Sequence, residues 1–133
     1  MKKIIVNGTF DILHIGHIRL LEFAKGFPDA YVYVLIDSDQ RVRQLKGPSR
    51  PINNEYDRAS MLFALKSVDR VRIFDTDNEL AELIKNYSPD IMVKGSDYKD
   101  KPIIGSEYCK DIMFYDRTEH STTKTIQDII DRR

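Results

Sequence analysis

Two histidines stand either side of Ile15-Gly16 in the stretch NGTFDILHIGH, Asn7 to His17. The apolar run Ile4 to Val6 precedes it, and Ile18, Leu20, Leu21 and Ala24 follow at near-helical spacing, so the histidines fall where a buried strand turns into a helix. A helix start offers unpaired N–H groups and the positive end of the aligned peptide dipoles, and both favour an anion, above all a phosphate. His14 and His17 add ring N–H donors, Gly16 lets the backbone come close and Gly8 permits a tight turn after the strand. A helix cap or a packed ring explains either histidine alone. The pair around a glycine at a strand-to-helix junction points to phosphate binding. Zinc is the rival use of two histidines, yet no third ligand lies nearby and His120 is the only other histidine.

Three further groups fit the same chemistry. The polar stretch QLKGPSRPINN, Gln44 to Asn54, reads as a loop, and with its surroundings it carries Lys46, Arg50 and Arg58. A triphosphate needs cations against its oxygens and its leaving pyrophosphate, which Lys46 and Arg58 would supply; for either one, a solvated surface charge is the plain alternative. Arg117-Thr118-Glu119-His120-Ser121-Thr122-Thr123 follows the last strand-like run and opens the last helical one, offering an arginine and three hydroxyls to phosphate oxygens. Helix capping would need only one of those hydroxyls. Lys94-Gly95-Ser96-Asp97-Tyr98 follows another strand-like run; Gly95 allows close approach, and Asp97 and Tyr98 could meet a base, a ribose or an acceptor, although a plain turn reads nearly as well.

The elements that must hold these groups alternate along the chain. Strands are predicted at Ile4 to Val6, Tyr31 to Ile36, Val71 to Phe74, Ile91 to Val93 and Ile112 to Tyr115. Helices are predicted at His17 to Lys25, Asn54 to Val68, Glu79 to Asn86 and about Thr122 to Ile130. That alternation implies an α/β fold, a Rossmann-like doubly wound parallel sheet forming one domain over residues 1–133. Ligands in such sheets bind at the carboxyl ends of the strands, where strand order reverses. The candidate groups follow Val6, Ile36, Val93 and Tyr115, each the end of a strand.

Composition narrows the choice. A chain of 133 residues, 41% hydrophobic, supports one core and one site. Lys plus Arg and Asp plus Glu are 21 each, so there is no broad basic face for nucleic acid. Cys109 is the only cysteine, which rules out an internal disulfide and a cysteine metal cluster and reads as a small, partly buried side chain. No apolar run has the length of a signal peptide core or a membrane span, so no membrane role is expected and a cytoplasmic location is the default.

With these residues in view, the chain resembles the cytidylyltransferase-like nucleotidyltransferases, whose signature is His-x-Gly-His on a Rossmann-like sheet with a late Ser-Thr-Thr loop. Within that family NGTFDILHIGH, LKGPSRPIN with Asp57-Arg58, SVDRV, PDIMVKGSDY and the late STT look most like the adenylyltransferase domains that make ADP-heptose from heptose 1-phosphate. The glycerol-3-phosphate cytidylyltransferases are similar too, sharing GTFD and an Arg-Thr-Glu before STT. The resemblance implies transfer of a nucleoside monophosphate to a sugar or polyol phosphate, with magnesium accompanying the triphosphate and often a homodimer. It implies that His14 and His17 hold the triphosphate and stabilise the α-phosphate, that Lys46 orients phosphates, and that Arg117, Ser121 and Thr122 bind the β- and γ-phosphates. Gly8, Thr9, Phe10, Asp11, Gly16, Arg58, Gly95, Asp97 and Thr118 complete the expected nucleotide site. The chain departs from the family in running Glu119-His120 straight into Ser121, one residue short, and in a shorter segment between Tyr98 and Ile112. A nucleotide-binding module without catalysis is the alternative those departures keep open. The sugar kinase domain fused to many heptose adenylyltransferases is expected to belong to another protein.

Overall fold

The computed structural model, which describes residues 1–116, has five strands and four helices. They are β1 (Lys2–Gly8), α1 (Ile15–Lys25), β2 (Ala30–Asp37), α2 (Asp39–Lys46), α3 (Glu55–Phe63), β3 (Arg70–Phe74), α4 (Asp77–Tyr87), β4 (Ile91–Gly95) and β5 (Asp111–Tyr115), with short 3-10 turns at Ser96–Tyr98 and Ser106–Tyr108. All strand pairs are parallel and the order is β3-β2-β1-β4-β5. The chain therefore winds outward from β1 through β2 and β3, then returns to β1 and winds the other way, placing the reversal between β1 and β4. The doubly wound α/β sheet expected from the alternation is present.

The alternation of side chains divides the core into two layers. Ile4, Val6, Val32, Val34, Ile36, Ile91 and Val93 pack with Leu20, Leu21 and Ala24 of α1 and Leu62 of α3. Ile5, Tyr33, Leu35, Phe74 and Met92 pack on the opposite face with Leu80 and Ile84 of α4. A strand with both faces covered reads as a continuous apolar run, which is why IIV and YVYVLI stand out.

Two elements differ from the sequence expectation. The helix expected over Asn54 to Val68 ends at Phe63, because the chain must turn there to deliver Val68 into the core and enter β3. The polar loop from Gln44 is shorter than expected, because Asp39–Lys46 forms α2, capped by the Ser38 hydroxyl accepting from the Arg41 amide. Only Val42 of this helix is buried, so its sequence carries no apolar period. The expected helix from about residue 122 to 130 lies outside the described residues. No described helix is long and apolar enough to cross a membrane.

One glycine seats the segment that follows β4. Gly105 has φ +83°, and a Cβ there would come within 2.6 Å of Ile84 Cδ1 and 3.1 Å of Ile84 Cβ. Gly105→Ala is expected to destabilise the fold by about 1–3 kcal/mol, through a left-handed alanine and a clash with α4. A urea midpoint equal to that of the parent chain would contradict this.

Candidate active site

At the carboxyl end of the sheet, across the β1/β4 reversal, lies a cavity of about 370 Å³. Gly8, Thr9, Phe10 and His17 border it from the β1–α1 junction, Asp37, Arg41 and Lys46 from the end of β2 and α2, and Lys94, Gly95 and Tyr98 from the end of β4. The cavity is thus built from the first, second and fourth of the regions singled out in the sequence.

The histidine pair is held by the first turn of α1. Gly16 N–H donates to His14 Nδ1 at 3.0 Å, and His14 N–H donates to His17 Nδ1 at 3.2 Å, a reciprocal cap. Because each Nδ1 accepts a backbone proton, the hydrogen-bond pattern assigns the neutral rings their proton at Nε2. The rings stack with centroids 3.9 Å apart, and Phe10 lies 5.2 Å from His17. Capping, one of the two readings the sequence offered for these rings, uses the Nδ1 atom of each. Phe10 adopts φ 51°, a left-handed conformation costly for an aromatic residue, and is nearly fully buried. Gly8 makes room for it: a Cβ at Gly8 would sit 3.1 Å from the Phe10 ring.

Lys46 lines the cavity at the last turn of α2. Although the residue as a whole is exposed, loss of water around its ammonium and then repulsion from Arg50 lower its pKa below the ordinary lysine value, against the pull of Asp37 and Asp11. An anion entering the cavity would find this charge incompletely solvated.

Arg58 and Asp11 occupy positions the sequence did not reveal. Arg58, expected to face phosphates, is fully buried and does not border the cavity. Its guanidinium donates to the carbonyls of Asn53 (2.9 Å), Thr9 (3.0 Å) and Asp37 (2.8 Å), and pairs with Asp39 at 2.8 Å. Those contacts use its donors to fasten the ends of β1 and β2 together. Asp11 is likewise fully buried, accepting from the amides of Ile52 and Asn53 at 2.8 Å each, with Arg50 3.6 Å away. Both were expected at the nucleotide, and the structure gives both a framework role. Asp97 is exposed and does not border the cavity. Arg117, Thr118, Ser121 and Thr122 lie outside the described residues.

Asp37, Arg41, Lys94 and the apolar wall of Leu80, Ile103 and Ile104 were not singled out as site residues. The polar cluster ending the β2 run signals Asp37, and Lys94 stands in a quoted motif, but Arg41 depends on the unforeseen α2. Lys94 is 8% exposed, its Nζ 4.4 Å from the Tyr98 ring centroid. The Cys109 thiol is half-buried, and burial, helped by Glu107, pushes its pKa up to about 11, so it is no thiolate nucleophile.

The cytidylyltransferase-like family model matches residues 5–129. The chain belongs to the cytidylyltransferase-like family. That membership bears out the reading of the chain as a nucleotidyltransferase. Curated relatives include the bifunctional protein HldE of Sulfurimonas denitrificans, 48% identical over 96% of this chain and 27% of its own length. Another is the bifunctional protein HldE of Campylobacter jejuni strain RM1221, 49% identical over 99% of this chain and 29% of its own. The chain therefore spans under a third of these relatives. The crystal structure of the lipopolysaccharide core biosynthesis protein from Thermoplasma volcanium GSS1 matches with a TM-score of 0.69 at 27% identity, covering 87% of this chain and 99% of that one. The cytidylyltransferase-like sheet, its histidine pair and its cavity thus coincide in one place.

The buried fastening by Arg58 is directly testable. Arg58→Met leaves three backbone carbonyls and Asp39 without their donor, and is expected to cost about 3–5 kcal/mol in chemical denaturation. An unchanged denaturation midpoint would contradict it.

Proposed function

We propose that the chain transfers the adenylyl group of ATP to a heptose 1-phosphate, releasing pyrophosphate and forming an ADP-heptose. The observation that carries this reading is His17, stacked on His14 at a helix start and bordering a cavity that is also lined by Lys46, Arg41 and Lys94. The resemblance to heptose adenylyltransferase domains and the 48% identity to a bifunctional protein HldE support the choice of nucleotide and acceptor.

The chemistry follows from the arrangement. The α-phosphate lies at the start of α1, where the helix dipole, His14 and His17 meet the charge that grows on its oxygens. An oxygen of the acceptor's phosphate, already anionic, attacks the α-phosphorus in line. The new P–O bond forms as the bond to the β-phosphate oxygen breaks, and pyrophosphate departs with the electron pair. No general base is required, so positioning and charge neutralisation are the whole task. Lys46 meets the phosphates from α2, and Gly8, Thr9, Phe10 and Gly95 shape the strand ends around the nucleotide. Arg117, Ser121 and Thr122 take the β- and γ-phosphates, as the resemblance implies. Magnesium enters on the triphosphate, as the resemblance implies.

The test is pyrophosphate release, with magnesium, across ATP and CTP against heptose 1-phosphate and glycerol 3-phosphate. Turnover is expected with ATP and heptose 1-phosphate; preference for CTP and glycerol 3-phosphate would replace the substrates, and nucleotide binding without turnover would favour a binding module. His17→Ala and His14→Asn are each expected to lower turnover by about 100- to 1,000-fold. Asparagine keeps an acceptor for the helix cap and removes the Nε2 proton. Near-normal rates in both variants would end the reading.

A further inference from the structure

The cavity extends from the histidines onto the opposite face of the sheet. Asp37 follows Leu35, and Lys94 follows Met92, on the alternation that turns Leu35 and Met92 towards α4. Phe10 and Leu20, which border the histidine end, belong to the other core layer. The α4 end is lined by Asp37, Arg41, Lys94, Tyr98, Leu80 and Ile103.

Arg41 is the fixed cation of that end. Its side chain is only 13% exposed; Nε donates to Asp37 Oδ1 at 2.8 Å, Nη2 lies 2.7 Å from Asp77 Oδ1, and the guanidinium carbon sits 5.0 Å from the Phe74 ring centroid. Asp37 is equally committed, because its Oδ2 accepts from Thr9 Oγ1 at 2.6 Å. Nη1, with two N–H groups, makes no hydrogen bond or ion pair among the described residues, although the residue borders the cavity. An ion pair serving the fold alone needs no such unspent N–H groups on a residue that borders a cavity.

Arg41 and Lys94 both border the α4 end; among the described residues Asp37 is the only carboxylate lining the cavity, and Asp77, the other partner of Arg41, has 68% of its side chain exposed to water. A triphosphate seated at the start of α1 leaves the α4 end unused. In-line displacement requires a second anion, the acceptor's phosphate, on the side of the α-phosphorus away from the pyrophosphate.

We propose that Arg41 binds the acceptor's phosphate and that Asp37 is the positioning residue that aims it, with the body of the acceptor against Leu80, Ile103 and Tyr98. The assignment rests on the phosphate-acceptor reading above. Asp37 also ties Arg41 to Thr9 at the end of β1, which keeps the acceptor's phosphate in register with the strand end that carries the nucleotide.

The experiment uses the full chain and the variants Arg41→Met, Arg41→Lys and Asp37→Asn. Acceptor and ATP KM values are measured with heptose 1-phosphate and glycerol 3-phosphate. Calorimetric binding of each acceptor is measured on protein saturated with a non-hydrolysable ATP analogue. Arg41→Met is expected to weaken acceptor KM and Kd by about 10- to 100-fold, the loss of a charge-assisted hydrogen bond, with the ATP KM unchanged. Arg41→Lys restores part of that loss, since it keeps the charge and not the fork, and Asp37→Asn weakens the acceptor less than Arg41→Met does. Unchanged acceptor affinity in folded Arg41→Met overturns the assignment, and so does an equal loss for ATP, which would put Arg41 on the nucleotide. Should the methionine variant fail to fold, parent-like acceptor KM in Arg41→Lys overturns it as well. A parent chain that neither binds nor turns over any phosphorylated acceptor removes the nucleotidyltransfer reading itself; a parent chain that turns over normally beside unaffected variants removes Arg41 alone.

Discussion

The site depends on one buried charge. Arg58 sits with no exposed surface, and its guanidinium reaches Thr9 beyond β1, Asp37 at the end of β2, Asn53 ahead of α3 and Asp39 at the start of α2. An isolated charge in that position would be prohibitively costly; three carbonyls and a carboxylate make it tolerable, and in doing so they fix four chain segments relative to one another. The two strand ends it joins, at Thr9 and Asp37, both border the cavity. A buried Asp11 performs the converse task, accepting two amides of the loop ahead of α3. The framework under the site is therefore polar, while the sheet below it is held by two apolar layers.

That framework carries the groups that border the cavity. The start of α1 is capped by His14 and His17 through their Nδ1 atoms, so the rotamers that serve helix formation also fix the ring of His17 at the cavity. At the other end of the cavity, Asp37 links Thr9 to Arg41, and Arg41 packs on Phe74. The end of β1, the end of β2 and α2 are joined through this short series of hydrogen bonds at the carboxyl edge of the sheet. Direct transfer between two bound phosphates asks for that kind of register more than for any reactive side chain.

The unit β1–α1, the strands and the order of elements were legible because they express apolar period, strand-ending glycines and helix spacing, all local properties of the chain. The histidine pair was legible because its spacing matters within one turn. Arg58 was not, because its acceptors are mostly backbone carbonyls, which no side-chain pattern announces, and a buried arginine looks in sequence like any phosphate-facing one. Helix α2 was missed because Asp39–Lys46 buries only Val42 and is otherwise mainly polar and charged; its local signals are the caps at Ser38 and Gly47 and the charges at its ends. Missing α2 meant missing Arg41. The late Arg117 to Thr123 motif, read as a phosphate loop, lies beyond the described residues.

The central claim is that a phosphate acceptor displaces pyrophosphate from the α-phosphorus in one step, with no group of the protein bonded to phosphorus. Its most direct test is the stereochemical course of the reaction: turnover of a single diastereomer of ATP carrying sulfur on the α-phosphate, with the product's configuration read by phosphorus NMR. Inversion at phosphorus is the result this account predicts. Retention would require two displacements and a covalent intermediate on the protein, and would contradict it.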